Sequence, residues 1–216
     1  MKVLALSDRV DEFLDTDSGV DSVRDVDLMI SCGDLPFEYL ERLVTVLNVP
    51  FLFVLGNHDR PILRASGDTS SAPEGGVNVH GCHRALSAPD GGLLLVVGFG
   101  GTKQCEGPGS GTSEMAILGS VFRMLPRLLW YRLRYGRAID VLMTHAPPAG
   151  VHEGNDPCHR GFRVLRWIIL WFRPTLALHG HVHPTYGVDV RPARLGPTRI
   201  LNVYGSIRLE VKNARS

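Results

Sequence analysis

Short apolar runs bounded by turn-forming residues recur along this chain. Val3 to Leu6, Leu28 to Ile30, Phe51 to Leu55, Leu93 to Val97, Val141 to Met143 and Leu176 to Leu178 are rich in Val, Leu, Ile and Phe, as strands buried on both faces are. Periodicity alone does not separate such a run from a helix fragment, but the flanking Gly, Pro, Asn and Asp favour strands. Between them lie helical patterns. Glu38 to Leu47 puts Leu40, Leu43, Val44 and Leu47 on one face, and Ser113 to about Arg134 and Gly161 to Phe172 follow the same period. Pro126 is expected to kink the second helix or divide it. Strands alternating with helices predict an α/β core.

Two segments, Arg64 to Pro89 and Gly98 to Gly111, are rich in Gly, Ser and Pro and read as long surface loops around the Leu93 to Val97 run. Beyond Tyr186, turn residues alternate with short β-type runs, Arg199 to Val203 and Ile207 to Val211. These suggest a second, antiparallel sheet edge.

Candidate chemistry is concentrated just past the ends of the runs. Val3 to Leu6 leads into Asp8, Leu28 to Ile30 into Gly33-Asp34, and Phe51 to Leu55 into Gly56-Asn57-His58-Asp59. Val141 to Met143 leads into His145, and Leu176 to Leu178 into His179-Gly180-His181-Val182-His183. Ligands of open α/β sheets bind beyond the carboxyl ends of the strands, so residues distant in sequence converge there. Each alone has a plain explanation, since Asp and Asn form turns and a lone His is usually structural. Five such endings together point to one cluster. Carboxylate, amide and imidazole donors suit Mn, Fe or Zn, and the lack of cysteine ligands argues against a structural zinc-thiolate site.

At these residues the chain resembles the calcineurin-like metallophosphoesterase superfamily, whose pattern is Asp-x-His, Gly-Asp, Gly-Asn-His-Asp/Glu, a lone His and Gly-His-x-His. The matches are Asp8, Gly33-Asp34, Gly56-Asn57-His58-Asp59, Thr144-His145 and Gly180-His181-Val182-His183, spanning Lys2 to His183. Thr144-His145-Ala146-Pro147-Pro148 through His183 also looks like the small phosphodiesterase branches of that superfamily. The resemblance implies a four-layer α/β/β/α sandwich. It implies two divalent ions, Mn foremost with Fe or Zn as alternatives, bridged by Asp34. Asp8 and His183 would complete one site; Asn57, His145 and His181 would complete the other. His58 would act on the leaving group as the catalytic acid or charge stabiliser. A metal-bound hydroxide would attack phosphorus in line, with no covalent enzyme intermediate. A phosphodiester, such as a cyclic or other small nucleotide, would be preferred to a monoester.

The pattern breaks at one place. Asp8 is followed by Arg9 and Val10, so valine stands where the family has histidine. Three explanations compete: a weaker site completed by water, a substitute ligand among His83, His152 and His159, or a partly disabled catalyst. The rival function is a non-catalytic metal-binding scaffold of the same fold. A nuclease is a third reading, without an evident basic groove.

Composition narrows the partners. Of 216 residues, 44% are hydrophobic and 21% charged, ordinary for a globular chain, and one domain over 1–216 is expected. The net charge of +1 creates no general field for nucleic acid or an anionic membrane. Neither is expected as a partner, and a small phosphate ester is. Met1 to Leu6 is short for a secretory signal and Trp167 to Phe172 short for a bilayer span. Cys32, Cys82, Cys105 and Cys158 show no CxxC spacing. These features fit reduced thiols and a cytoplasmic location, with Cys32 a small buried residue at a strand end. His152 to Arg160 reads as a loop overhanging the site, in which His159 and Arg160 are candidate substrate contacts. Arg123, Arg127, Arg132, Arg134 and Arg137 read as a solvated helix face with stems over apolar surface. Trp167 and Trp171 read as core.

Overall fold

Alternation within single strands decides the architecture of the computed structural model, which describes residues 1–64, 67–103 and 111–211. Cys105 and part of the Gly98–Gly111 segment lie outside the described residues. In β1 (Lys2–Ser7), Val3 and Ala5 face one apolar cluster while Leu4 and Leu6 face another. In β8 (Leu93–Phe99), Leu94 and Val96 join the first cluster while Val97 and Phe99 join a third. Successive side chains of a strand point to opposite faces. A sheet apolar on both sides must be covered on both, which explains the continuous runs.

The first sheet combines β1 with β2 (Leu28–Ser31), β3 (Phe51–Phe53), β6 (Val77–Asn78) and β13 (Gly205–Glu210), in the order β13-β1-β2-β3-β6. All its pairs are parallel except β1 with β13. The second sheet orders β11 (Ala193–Leu195), β12 (Thr198–Asn202), β10 (Leu176–His179), β9 (Val141–Thr144), β8 and β7 (Cys82–Ser87). Its inner pairs β8-β9, β9-β10 and β10-β12 are parallel, and its edges β7 and β11 antiparallel. A separate hairpin pairs β4 (Ile62–Leu63) with β5 (Thr69–Ser70).

The two sheets pack face to face through Leu28, Ile30, Leu52, Val141, Leu178 and their neighbours. Outside the first sheet lie α1 (Asp17–Asp21) and α2 (Phe37–Leu47), with Leu40, Leu43 and Leu47 on Leu4, Met29 and Phe51. Outside the second lie α3 (Glu114–Tyr135) and α4 (Arg163–Phe172), with Ile117, Leu128, Ile168 and Ile169 on Phe99, Leu142 and Ile200. The four-layer α/β/β/α sandwich is thus the observed fold. Truncating a fully buried residue such as Leu43 to Ala would cost about 2–5 kcal/mol.

Several expectations need correction. Arg64 to Pro89 is not simply loop, because it contains β5, β6 and the six-residue β7. The helix carrying Pro126 is not divided; α3 runs as one 22-residue element. The two C-terminal runs do not form one antiparallel edge: β12 joins the second sheet beside β10, and β13 crosses to the first beside β1. Trp167 and Trp171 are not core, being 51% and 69% exposed. The α4 face that meets the sheet is already filled by Val164, Leu165, Ile168, Ile169 and Phe172, and residues 167, 170 and 171 fall opposite.

The starts of the outer helices are tied together. Ser113 caps α3, its Oγ accepting from Ala116 N–H at 3.0 Å. Phe162 at the α4 N-cap has no side-chain oxygen to offer. The Glu114 carboxylate accepts from Arg163 and Val164 N–H at 2.9 Å each instead, so one acid serves both helices.

Candidate metal centre

Parallel strands bring their carboxyl ends to one rim, and the sandwich brings the rims of both sheets together. Asp8 follows β1, Asp34 follows β2, Asn57 and His58 follow β3, His145 follows β9, and His181 and His183 follow β10. Bonds between neighbouring strand ends lock the rim within each sheet. Asp8 N–H donates to Gly33 C=O at 3.1 Å, and Gly180 N–H to His145 C=O at 3.0 Å. Asp8, Asp34 and His181 all sit at positive φ, 63°, 59° and 67°, a costly conformation for non-glycine residues that neighbouring structure must impose. Two glycines permit the close approach. A Cβ on Gly56 would lie 2.1 Å from Asp34 Oδ1, and one on Gly180 would lie 2.3 Å from Asp8 Oδ2.

His145 is fully buried. Its Nδ1 lies 2.7 Å from Cys32 C=O, and a carbonyl only accepts, so Nδ1 carries the proton in the neutral ring. Nε2 then presents a lone pair, and it faces Asn57 Oδ1 at 3.0 Å and Asp34 Oδ2 at 3.2 Å. Three acceptors converging on one point are reconciled only by a cation, a proton or a metal ion. The same demand appears in the acid–base balance. Burial would lower His145, yet the Asp34 carboxylate outweighs it and raises the imidazole above its ordinary value. Burial likewise pushes Asp34 up, but the His145 hydrogen bond and charge, with His58 N–H, hold it below the usual carboxylate range. The donor atoms of Asp34, His145 and His181 lie within 4.8 Å of one another. His181 turns Nε2 toward Cys158 C=O at 3.1 Å, which leaves Nδ1 as its available lone pair. Burial first, then the charge on His145, brings His181 down to about 4, a neutral ring. The donor chemistry fits a divalent ion held by Asp34, Asn57, His145 and His181.

Asp8 and His183 stand beside this group. The Asp8 carboxylate accepts from His181 N–H at 3.0 and 2.9 Å, and His183 Nε2 lies 3.3 Å from Asp8 Oδ1. This second half is more open, His183 being 28% exposed at its side chain. Val10 is half-buried: it packs on the α1–α2 cluster with Leu4 and Leu6 and also lines a cavity with Arg9 and Tyr204. Of the suggested substitutes, His83 lies under α3 against the Tyr131 ring at 4.7 Å. His152 is engaged at both nitrogens, with His179 and Arg191 C=O at 2.8 Å each. His159 does reach the centre, but its ring stacks on His181 at 4.7 Å and its Nδ1 meets Asp156 at 2.8 Å. His83 and His152 are thus placed or engaged elsewhere, and His159 is the one of the three that stands at the centre.

His58 uses its backbone N–H to hold Asp34 Oδ1 at 2.8 Å. Its exposed ring lines a cavity of about 300 Å³ with Asp34, Asp59 and Arg60. Asp59 organises the loop from below, its Oδ2 accepting from Gly56 and Asp34 N–H at 2.7 and 3.0 Å. Arg160 is not at the ligands. It lines a cavity of about 570 Å³ with Lys103, Glu114 and Arg163. Glu153, Gly154 and Asn155 also wall a second cavity of about 440 Å³, beside His159 and Tyr186. Two aromatic neighbours escaped sequence reasoning: Tyr186 stacks on His183 at 4.8 Å, and Tyr204 touches its ring at 4.8 Å. No spacing announced them; Tyr186 comes only three residues after the last motif, the sole hint in the sequence.

Comparison with known proteins bears on the family and the fold. A family described as calcineurin-like phosphoesterase matches residues 1–185. A crystal structure of TT1561 from Thermus thermophilus superposes with a TM-score of 0.61 at 17% identity, covering 94% of this chain and 88% of that one. A second crystal structure superposes with a TM-score of 0.61 at 20% identity, covering 93% of this chain and 89% of the other. At these identities the likeness is one of fold. No curated protein matches the sequence.

Proposed function

Since the chain belongs to the calcineurin-like phosphoesterase family, whose members hydrolyse phosphate esters with divalent metals, we propose that it hydrolyses a small phosphodiester at a dinuclear centre on the strand-end rim. The observation that carries this reading is the convergence of Asp34, Asn57 and His145 lone pairs on one point. Asp34 would bridge two ions. Asn57, His145 and His181 would hold one, and Asp8 and His183 the other. When bound, such ions would supply Lewis-acid polarisation of a phosphoryl oxygen and a water made nucleophilic at neutral pH. Mn is the first metal to try, then Fe and Zn, because the donor set mixes oxygen and imidazole.

The chain's own groups do the rest. Asp59 holds the Asp34 and Gly56 backbone so that the carboxylate cannot swing away. His58 presents a ring without a hydrogen-bond partner among the described residues, suited to giving a proton to the leaving oxygen. The linked cavities beside His159 and Arg160 have the size of small-molecule sites. Their arginines would receive the part of the ester beyond the scissile phosphate. A small nucleotide is the first substrate to test, on the resemblance to the small phosphodiesterase branches.

Hydrolysis of bis(p-nitrophenyl) phosphate should be abolished by EDTA and restored by Mn. Full activity after verified metal loss would overturn the mechanism, and full metal occupancy without hydrolysis of any mono- or diester would favour a binding scaffold. His58→Ala should keep its metal and lose about 10²- to 10⁴-fold in kcat. Loss of metal in that variant would make His58 a ligand instead.

A further inference from the structure

The outer surface of α3 is apolar where a solvent-facing helix is normally polar. Ile117, Val121, Met124 and Leu128 meet the sheet. Opposite them runs a second stripe at spacings of four and three: Met115, Gly119, Phe122, Pro126, Leu129 and Leu133. Met115, Phe122 and Leu133 are 72%, 62% and 88% exposed. Beside it, α4 turns out Trp167, Leu170 and Trp171, and Arg132 Nη1 on α3 reaches Trp171 C=O at 3.4 Å. The chain has three tryptophans, and Trp130, Trp167 and Trp171 all lie exposed on this layer. A continuous apolar patch of this kind marks an interaction surface.

Charge identifies the occupant. The two helices carry six arginines and a single acid, and that acid, Glu114, is spent on the α4 N-terminus. The whole chain has a net charge of only +1, so the remainder is net acidic and the basic charge is concentrated here. A second copy docking through this face would set arginine rows against arginine rows. A surface with apolar depth beneath an anionic skin suits both features at once: leucine, phenylalanine and tryptophan enter, and arginines snorkel to phosphate. We propose that the α3–α4 layer is a docking surface for an anionic phospholipid bilayer, on which the protein lies without crossing. No described helix is long and apolar enough to cross a membrane. This departs from the expectation drawn from net charge, which averages away a segregated patch.

The helices start at the rim that carries the metal centre, where Glu114 and Arg163 border the Arg160 cavity. The bilayer would therefore cover the side of the sandwich and leave the mouth of the site open at its margin.

Flotation of the full chain with vesicles of phosphatidylcholine, with and without phosphatidylglycerol, tests this directly. Binding should require phosphatidylglycerol, shift tryptophan emission to the blue and weaken in salt. Phe122→Glu and Leu133→Glu, checked for native circular dichroism, should each lower partitioning by about tenfold or more. Failure to bind phosphatidylglycerol vesicles at low salt would overturn the proposal, as would unchanged binding by both folded variants. Concentration-dependent dimerisation abolished by Leu133→Glu and unaffected by vesicles would also overturn it, assigning the face to a second copy.

Discussion

Asp34, Asn57, His145 and His181 on one side of the rim, and Asp8 and His183 on the other, stand at the ends of the same strands but are held differently. His145 is buried, with one nitrogen fixed by Cys32 C=O and the other aimed at two oxygens. His183 is partly exposed and meets Asp8 alone at 3.3 Å, with Tyr186 and Tyr204 against its ring. The first half is preorganised by the Cys32 carbonyl and the Asp59 carboxylate. The second shares Asp8 with the His181 backbone. Orientation by outer partners typically carries 10- to 100-fold in metal affinity, so the halves should bind unequally even before Val10 is considered.

The largest effect should come from removing what the halves share. Asp34→Asn should cost more than about 100-fold in hydrolysis, beyond the usual loss of an outer partner, and both ions, measured by metal analysis after dialysis. Retention of one tight ion would show that Asp34 serves only one half. Next comes the asymmetry itself: His145→Ala should lose the ion that survives dialysis, whereas His183→Ala should keep it and lose only the ion needing excess metal. Equal losses would end the distinction. The smallest effect belongs to Val10→His. Because Val10 packs on the α1–α2 cluster, an imidazole there would have to leave that contact to reach Asp8. Calorimetric titration with Mn should find both affinities unchanged, with stability lower by about 1–3 kcal/mol for a buried polar group. A tightened weak site would show that the β1 loop can turn that side chain inward.

The buried half was legible because each candidate ligand comes after a continuous apolar run, and a parallel sheet delivers such endings to one rim whatever their separation. Its supporting contacts were not. Cys32 C=O and Asp59 Oδ2 act through geometry that appears only when two sheets close. The edge strand β7 was hidden by composition: His83, Arg84 and the glycines around it read as loop, and pairing with β8 overrides that local preference. Trp167 and Trp171 misled because α4 is apolar on nearly every side, and periodicity cannot say which face meets the sheet. The crossing of β13 was invisible since its partner lies some two hundred residues earlier, as in Leu4 opposite Arg208.

That crossing also sets an order of events. The family match ends at residue 185, yet β12 and β13, made afterwards, supply strands to the second and first sheets in turn. As the chain leaves the ribosome, β1 already has β2 beside it while its other edge stays open until Gly205–Glu210 emerges. Pairings of such sequence separation form late and slowly, and an open edge invites other chains meanwhile. A fragment cut at the motif boundary would keep every ligand of the rim and remain stalled at that unfinished stage, sticky rather than inactive.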